Sequence, residues 1–281
     1  MIRESGRRDI VPCGKCNFCL ETKRADWTFR LLQEMRRASS AHFLTITYAE
    51  QGTDKPDANG EIVGKFDGPP LSGSGQPQVC KIDVQNFTKR LRKEQAQVSK
   101  ETLRYYTCAE YGTKTERPHY HSIMFNLSFG VVPNIPFIWG KGHVHVGTVT
   151  PASIHYVTKY CINKEVPYPG REPPFALMSR RPGIGSNYIE THKQWHVQGK
   201  RNYVQVNGIK GRIPRYYKDQ LFSKPMRERL AAESIELGDI AYSEEVSEIS
   251  RFHDDPYYYF DERVRNDHES IASKVNQHNT F

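Results

Sequence analysis

Apolar residues recur at helical and strand spacings near the start of the chain. Residues 20–38 place Trp27, Leu31 and Met35 four apart, with basic residues on the other faces, which is typical of a half-buried helix. Residues 43–48 read FLTITY, a β-branched and aromatic run that predicts a strand. The pattern therefore predicts a helix followed by a strand.

This pattern is interrupted at residues 52–78, which are rich in Gly and Pro among polar residues. We expect a long flexible loop or insertion there, able to be disordered without a bound partner. Asp83 then stands where it is able to cap a helix that runs to about Glu94. In this helix Phe87 and Leu91 face inward, and basic residues face outward.

Strand-like runs dominate the middle of the chain. Residues 103–112 and 117–127 are two such runs separated by a short loop, so we predict adjacent antiparallel strands, and residues 142–149 form a further strand. Pro151 opens the next helix, which should stop near Pro167. The order strand, helix, strand, strand, strand, helix predicts an α+β fold with a central, mainly antiparallel sheet flanked by helices.

Charge is distributed unevenly along the 281 residues. The net charge is +8, but residues 225–281 carry 6 Lys and Arg against 13 Asp and Glu, so residues 1–224 carry 34 against 19. A strongly basic surface suits a polyanion such as nucleic acid, although basic proteins also bind membranes or acidic proteins. No apolar run is long enough to span a bilayer, and no apolar stretch follows the charged N-terminus, so we expect neither membrane insertion nor secretion.

These shifts in composition suggest four segments. We predict an N-terminal Cys-rich segment and helix (1–40), a catalytic core (41–166) with the insertion 52–78, a basic extension (167–224) and an acidic C-terminal tail (225–281). The chain contains no GxxxxGK[ST] loop, so ATP-driven unwinding is not encoded in it.

Three cysteines, Cys13, Cys16 and Cys19, lie within seven residues. Because no export signal accompanies them, metal binding is a better explanation than disulfides. Structural zinc needs four ligands, and Cys80, His42 or another histidine is able to supply the fourth after folding. Free thiols and an iron–sulfur cluster stay open as alternatives.

Two histidines two residues apart are candidate metal ligands. In a strand, His119 and His121 project from one face, and Glu110 on the preceding strand lies at hairpin range. Two nitrogens and one oxygen accept Mn²⁺ or Mg²⁺ and leave positions for a substrate. His143 and His145 form a competing pair with the same spacing, for which solvent-facing or ligand-facing histidines are the plainer interpretation.

The helix after Pro151 carries two candidate nucleophiles. Tyr156 and Tyr160 are four residues apart and share a helical face. Lys159 and Lys164 place a cation about one turn from each tyrosine, where it favours the phenolate or holds a phosphate. The alternative is an ordinary amphipathic helix with packed aromatic residues.

The order of these motifs resembles the HUH endonucleases that initiate rolling-circle replication. FLTITY is similar to their first motif, RPHYHSIMF to their metal motif and YVTKY to their nucleophile motif. PCGKCNFC, EYG before RPHYH, YVTKYCINK and SRRPGIG together resemble the replication initiators of gokushoviruses, small single-stranded DNA phages. The resemblance covers roughly residues 11–190.

The resemblance implies a sheet of the HUH type and a set of functional residues. Glu110, His119 and His121 would hold Mg²⁺ or Mn²⁺, and Tyr156 and Tyr160 would attack single-stranded origin DNA, form a 5′-phosphotyrosine and later close the circle. The host polymerase and helicase would be partners, in the cytoplasm of a host bacterium. A two-tyrosine HUH transposase and a non-catalytic nucleic-acid-binding protein are the alternatives.

Basic residues around this core are candidate DNA contacts. The five that we select are Arg117, Arg180, Arg181, Lys200 and Arg201. The stretch 196–218 also interleaves cations with Tyr203, Tyr216 and Tyr217, which we expect to stack on bases. A solvated basic surface with a few core tyrosines explains each residue equally well.

Overall fold

The computed structural model describes residues 12–112, 115–160, 170–206 and 208–277. These residues divide into two compact units. Residues 27–188 form the sheet unit, and the described residues up to Asp26 and from Ile189 onward form the helical unit. The first helix, α1 (Asn17–Met35), contributes residues to both.

Most elements of the sheet unit match the predicted order. After α1 they are β1 (Ala41–Thr47), β2 (Asp54–Pro56), β3 (Ile62–Lys65), α2 (Lys81–Val98), β4 (Arg104–Tyr111), β5 (Pro118–Phe125), a 3₁₀ turn (Val132–Asn134), α3 (Ile135–Trp139), β6 (Val144–Thr148), α4 (Pro151–Tyr160) and β7 (Ala176–Met178). Five strands form one sheet in the order β6-β1-β5-β4-β7, and every neighbouring pair is antiparallel. The α+β prediction is confirmed.

One face of this sheet packs on α2 and α3. Leu44 and Ile46 of β1 are buried against Phe87 and Leu91 of α2 and against Trp139 of α3. The inward orientation predicted for Phe87 and Leu91 is confirmed, since neither exposes any surface. Burial of each such side chain stabilises the fold by about 1.5–3 kcal/mol.

The opposite face packs on α1 and α4 over half of its length. Tyr106 of β4 and Ile123 of β5 form a second buried cluster with Leu31 of α1 and with Ile154 and Val157 of α4. Thr28 and Thr158 share a buried hydrogen bond between the two helices at 3.1 Å. These contacts fix α4 on the face that also carries His119 and His121.

The start of α2 differs from the prediction. The N-cap residue is Cys80, without a side-chain cap, and Asp83 lies inside the first turn. The Asp83 carboxylate accepts a hydrogen bond from the Tyr48 hydroxyl at 2.8 Å and pairs with Lys141 at 3.3 Å. Asp83 therefore ties α2 to the rest of the unit instead of capping it.

The insertion at residues 52–78 also differs from the prediction of a flexible loop. It contains the hairpin of β2 and β3, with an irregularity between Lys55 and Pro56, and an isolated bridge joins Leu71 to Pro77. Gly60 closes the hairpin turn with a φ of +88°, a conformation that glycine adopts without a steric cost.

The helical unit contains the remaining elements. They are α5 (Asn187–Gln198), β8 (Tyr203–Val206), β9 (Ile209–Arg212), α6 (Arg215–Leu221), α7 (Lys224–Ile249) and α8 (Pro256–Gln277), with β8 and β9 paired as an antiparallel hairpin. Tyr217 of α6 is fully buried, so the prediction that it stacks on bases is wrong. No helix within the described ranges is long and apolar enough to cross a membrane.

Candidate active site

Strand register brings the predicted metal ligands together on one face of the sheet. Glu110 of β4 lies directly opposite His119 of β5, and Cys108 lies opposite His121. Directly opposed residues of antiparallel strands project from the same face, and so do residues two apart in one strand. Glu110, His119 and His121 therefore share the face on which α4 packs.

Hydrogen bonds orient both imidazoles. His119 Nδ1 lies 2.6 Å from the Arg117 carbonyl oxygen, which only accepts, so Nδ1 carries the proton and Nε2 keeps its lone pair. His121 Nε2 lies 2.7 Å from Glu110 Oε1, and its Nδ1 lies 3.3 Å from the Thr45 hydroxyl. In each ring the outer nitrogen is thus presented by an interaction on the other side, as metal-binding histidines require.

The donor set fits a hard divalent cation with open positions. The carboxylate of Glu110 and the imidazole of His121 already meet, although the ligand atoms of all three residues do not lie within 4.8 Å of one another. Two imidazole nitrogens and one carboxylate oxygen suit Mn²⁺ or Mg²⁺. The direct hydrogen bond is the contact that a bound ion would replace.

Tyr156 lies beside this set. Its ring is 5.2 Å from the His121 ring, at an interplanar angle of 82°, and 6.2 Å from the ring of Phe43. Phe43 stacks on His121 at 5.7 Å, and the Tyr156 side chain is 43% exposed. The hydroxyl-bearing side chain is therefore held at the candidate metal site and stays accessible to a substrate.

A capping box fixes the start of the helix that carries Tyr156. The Thr150 hydroxyl accepts a hydrogen bond from the Ser153 backbone N–H at 3.1 Å, and the Ser153 hydroxyl accepts one from Thr150 N–H at 3.2 Å. Pro151 is the first helical residue, as predicted. The predicted end near Pro167 is untested, because residues 161–169 lie outside the described residues.

The other predicted members of the nucleophile helix are only partly described. Tyr160 is the last residue of α4, one turn after Tyr156, and Lys159 lies in the last turn. Lys164 lies outside the described residues. Tyr120, between the two histidines, faces the opposite side of the sheet and is buried, and burial raises its pKa well above the ordinary value. It is therefore no rival nucleophile.

The second histidine pair lies on the same sheet face as the first. His145 of β6 opposes Thr45 of β1, and His143 exchanges two backbone hydrogen bonds with Thr47. One strand therefore separates the two pairs. His143 and His119 both line a cavity of about 510 Å³, together with Glu50, Phe66 and Arg117. Sequence reasoning treated the pairs as rivals and missed this cavity.

Two residues of β1 that sequence reasoning passed over also belong to the site. Phe43 packs against His121 and Tyr156, and Thr45 contacts His121 Nδ1. The alternation of FLTITY carried the signal, since it places Phe43, Thr45 and Thr47 on one face.

Comparison with known proteins agrees with this arrangement. The family of the replication-associated protein ORF2 matches residues 41–165. Replication-associated protein VP4 of Bdellovibrio phage phiMH2K is 30% identical over 232 residues, which are 74% of this chain and 66% of that relative. The chain belongs to this family.

Other relatives extend the comparison. Replication-associated protein ORF2 of Spiroplasma virus 4 is 27% identical over 74% of this chain and 67% of the relative. Replication-associated protein ORF4 of Chlamydia phage 1 is 24% identical over 75% of this chain, which spans only 53% of that relative. No solved structure matches the chain.

The part of the chain that matches the replication-associated family begins with β1. It contains β4, β5, β6 and α4, and with them Glu110, His119, His121 and Tyr156. The family match therefore coincides with the elements that build the candidate site.

The predicted DNA contacts occupy different surroundings. The Arg117 guanidinium donates to the Tyr48 carbonyl at 2.9 Å and pairs with Glu50 at 3.3 Å. Arg180 and Arg181 are exposed and line a pocket of about 640 Å³ at the β4 and β7 edge. Lys81, Arg92 and Arg104 line the same pocket, so this basic surface of the sheet unit suits phosphate groups.

In the helical unit, Lys200 is exposed, whereas Arg201 has intramolecular contacts. The Arg201 guanidinium stacks over the ring of Trp195 at 4.7 Å and donates to the Trp195 carbonyl at 2.6 Å. Tyr203 packs against Trp195, with the Lys210 ammonium 4.9 Å from its ring. These contacts give Arg201 a role in holding α5 and β8 together, whether or not it contacts DNA.

The three clustered cysteines converge in space. Their sulfurs all lie within 4.8 Å of one another. The Cys13 sulfur accepts hydrogen bonds from the backbone N–H groups of Cys16 at 3.2 Å and Lys15 at 3.4 Å. Because these bonds stabilise the thiolate, they lower the pKa of Cys13 to about 7.

Proposed function

We propose that the chain is a metal-dependent endonuclease for single-stranded DNA that initiates rolling-circle replication. The observation that carries the proposal is the position of Tyr156, whose ring lies against His121, which in turn bonds to Glu110. The names of the phage relatives support a role in replication. The chemistry below is derived from the residues of the site.

Glu110, His119 and His121 are the residues that would hold the ion. When bound, Mg²⁺ or Mn²⁺ acts as a Lewis acid toward the scissile phosphate. The hydrogen bonds from Arg117 and Thr45 fix the rings of His119 and His121 before substrate arrives. This preorganisation avoids a reorientation cost during the reaction.

Tyr156 is the proposed nucleophile. Its hydroxyl loses a proton as its oxygen forms a bond to the phosphorus, and the bond from phosphorus to the 3′ oxygen breaks. The leaving oxygen takes up a proton and becomes a free 3′-OH, while the downstream strand stays on the tyrosine as a 5′-phosphotyrosine. The chain thereby supplies a primer end to the host polymerase, while the host helicase unwinds the duplex.

Tyr160 is proposed to act in the second half of the cycle. Its hydroxyl attacks the regenerated origin after one round of synthesis, and the new 3′-OH then attacks the first phosphotyrosine and closes the circle. Each step exchanges one phosphodiester bond for another, so no ATP is consumed. The absence of a Walker-type loop in the sequence is consistent with this scheme.

The test uses tiled single-stranded segments of the replicon that encodes the chain, incubated with Mn²⁺ and separated on a denaturing gel. A 3′-labelled segment should transfer its label to the protein, and a 5′-labelled one should yield a shorter free strand with a 3′-OH. The matched control carries Tyr156→Phe and Tyr160→Phe together. Binding without any covalent adduct would instead indicate a non-catalytic DNA-binding protein.

A further inference from the structure

The cysteine cluster has the geometry of a metal site. Two sulfurs bound at about 2.3 Å to one tetrahedral zinc lie about 3.8 Å apart. The sulfurs of Cys13 and Cys19 are 3.9 Å apart, and Cys16 completes a group within 4.8 Å. Gly14, with a φ of +78°, makes the turn that aims two backbone N–H groups at the Cys13 sulfur. Three thiol ligands are thus preorganised on a short segment.

A fourth ligand is available from the last helix. Cys16 and Cys19 line a cavity of about 850 Å³ in the helical unit, and Asp267 and His268 of α8 line the same cavity. The His268 ring lies 4.1 Å from the ring of Phe18, which stands between Cys16 and Cys19 in the sequence. His268 is therefore positioned beside the cluster by a direct ring contact.

We propose that Cys13, Cys16, Cys19 and His268 bind one structural Zn²⁺ that joins the N-terminal segment to α8. Three thiolates and one imidazole are a standard closed tetrahedral set for zinc. Thiolates select against Mg²⁺ and Mn²⁺, so this site would not compete for the catalytic ion. The proposal concerns a different unit from the candidate active site and does not depend on the proposed function.

The charge around the cluster supports the assignment. Three thiolates and Zn²⁺ leave one net negative charge, and Lys23, Arg212 and Arg215 line the same cavity. Cys13 and Cys16 are exposed, so an ion is able to reach them. Because such a site rarely exists in the unfolded chain, zinc binding would stabilise the fold of the helical unit.

The test measures zinc in the full-length chain. Protein expressed with zinc and dialysed against metal-free buffer is assayed for metal content, and cobalt(II) is then substituted as a spectroscopic probe. We expect one zinc per chain, and none in Cys16→Ser. His268→Ala should weaken zinc binding by at least about tenfold and alter the ligand-field bands of cobalt.

Three further variants keep the test decisive. His268→Cys should retain zinc and strengthen the thiolate-to-cobalt charge-transfer absorption, which shows that a ligand at this position is sufficient even if His268→Ala folds poorly. Cys80→Ser and His253→Ala are matched controls and should bind like the wild type. Wild-type protein that retains no zinc would overturn the proposal, and so would His268→Ala with unchanged affinity and an unchanged cobalt spectrum.

Discussion

At the scale of single residues, the two histidine pairs offer the sharpest comparison. We expect His119→Ala or His121→Ala to lower nicking at least about 100-fold, because loss of an ion removes several kcal/mol of transition-state stabilisation. His143→Ala and His145→Ala, on the same face but one strand away, should reduce it much less. Rates on a labelled strand, with circular dichroism as the folding control, decide the matter. An essential second pair and a dispensable first pair would reverse the assignment.

The two tyrosines are separated by a conservative change. Phenylalanine keeps the ring that packs on His121 and Phe43 and removes only the hydroxyl. Each single variant, Tyr156→Phe or Tyr160→Phe, should retain some cleavage and adduct but release closed circles poorly, and the double variant should form no adduct. Gel assays for adducts and circles measure both steps. A tyrosine that proves dispensable for nicking and for closure is a packing residue.

Sequence alone predicted which side chains could share the site, but it could not choose between candidates of the same type. Strand periodicity placed His119 with His121, and equally His143 with His145. Only the strand order, with β5 beside β4, distinguishes the pair that lies next to Glu110. The cap assigned to Asp83 failed for a similar reason, since its partner Tyr48 is 35 residues away in sequence.

At the scale of elements, the capping box of α4 connects stability with chemistry. Thr150→Ala should lower the free energy of unfolding by about 0.5–2 kcal/mol, because it removes the acceptor for the Ser153 N–H. Denaturant unfolding measures this loss. Ser223→Ala is the control, since Ser223 is the N-cap of α7 without a side-chain cap bond, and its change should be smaller. Equal losses would show that the Thr150 box contributes nothing specific.

The junction of α5 and β8 should respond to pH through His196. Its ring is buried and its Nδ1 lies 2.7 Å from the Arg201 carbonyl oxygen, and burial lowers the pKa of His196 below the ordinary 6.5. The unfolded chain therefore takes up a proton first as pH falls below 6.5, so stability is full above that value and decreases below it. Denaturant unfolding at pH about 7.5 and about 5.5 should show this decrease. In His196→Asn the decrease should be smaller, and an identical slope would contradict the assignment.

Elements with a strong period were predictable, whereas those fixed by tertiary contacts were not. Helix α1, strands β1, β4, β5 and β6 and the start of α4 follow from apolar spacing and turn residues. The hairpin of β2 and β3 did not, because its Gly and Pro residues indicate loops and its β3 residues are all exposed. The short strand β7 carries too little pattern to be noticed, yet it completes the sheet beside β4.

At the scale of the whole molecule, the acidic C-terminal region remains to be explained. In the helical unit, Asp267 of α8 lines a cavity together with Arg212 and Arg215, so acidic and basic side chains already meet there. If this contact screens a DNA-binding surface, deletion of residues 242–281 should raise non-specific affinity for single-stranded DNA at low salt.

Because the deletion also removes His268, a second variant neutralises Asp261, Glu262, Asp267 and Glu269 and keeps the histidine. Fluorescence anisotropy against salt concentration measures affinity and slope. Unchanged values in both variants would leave the acidic region as a solubilising segment.

The alternation of side chains along β5 also restricts how the gene is able to change in length. One codon inserted between Tyr120 and His121 would leave His119 at the site and turn His121 toward the opposite core, unless a β-bulge absorbed the extra residue. Insertions and deletions among relatives should therefore collect in the connections between strands and be purged from β5 itself. An alignment of phage genomes would carry that signature as a strand of constant length between connections of variable length.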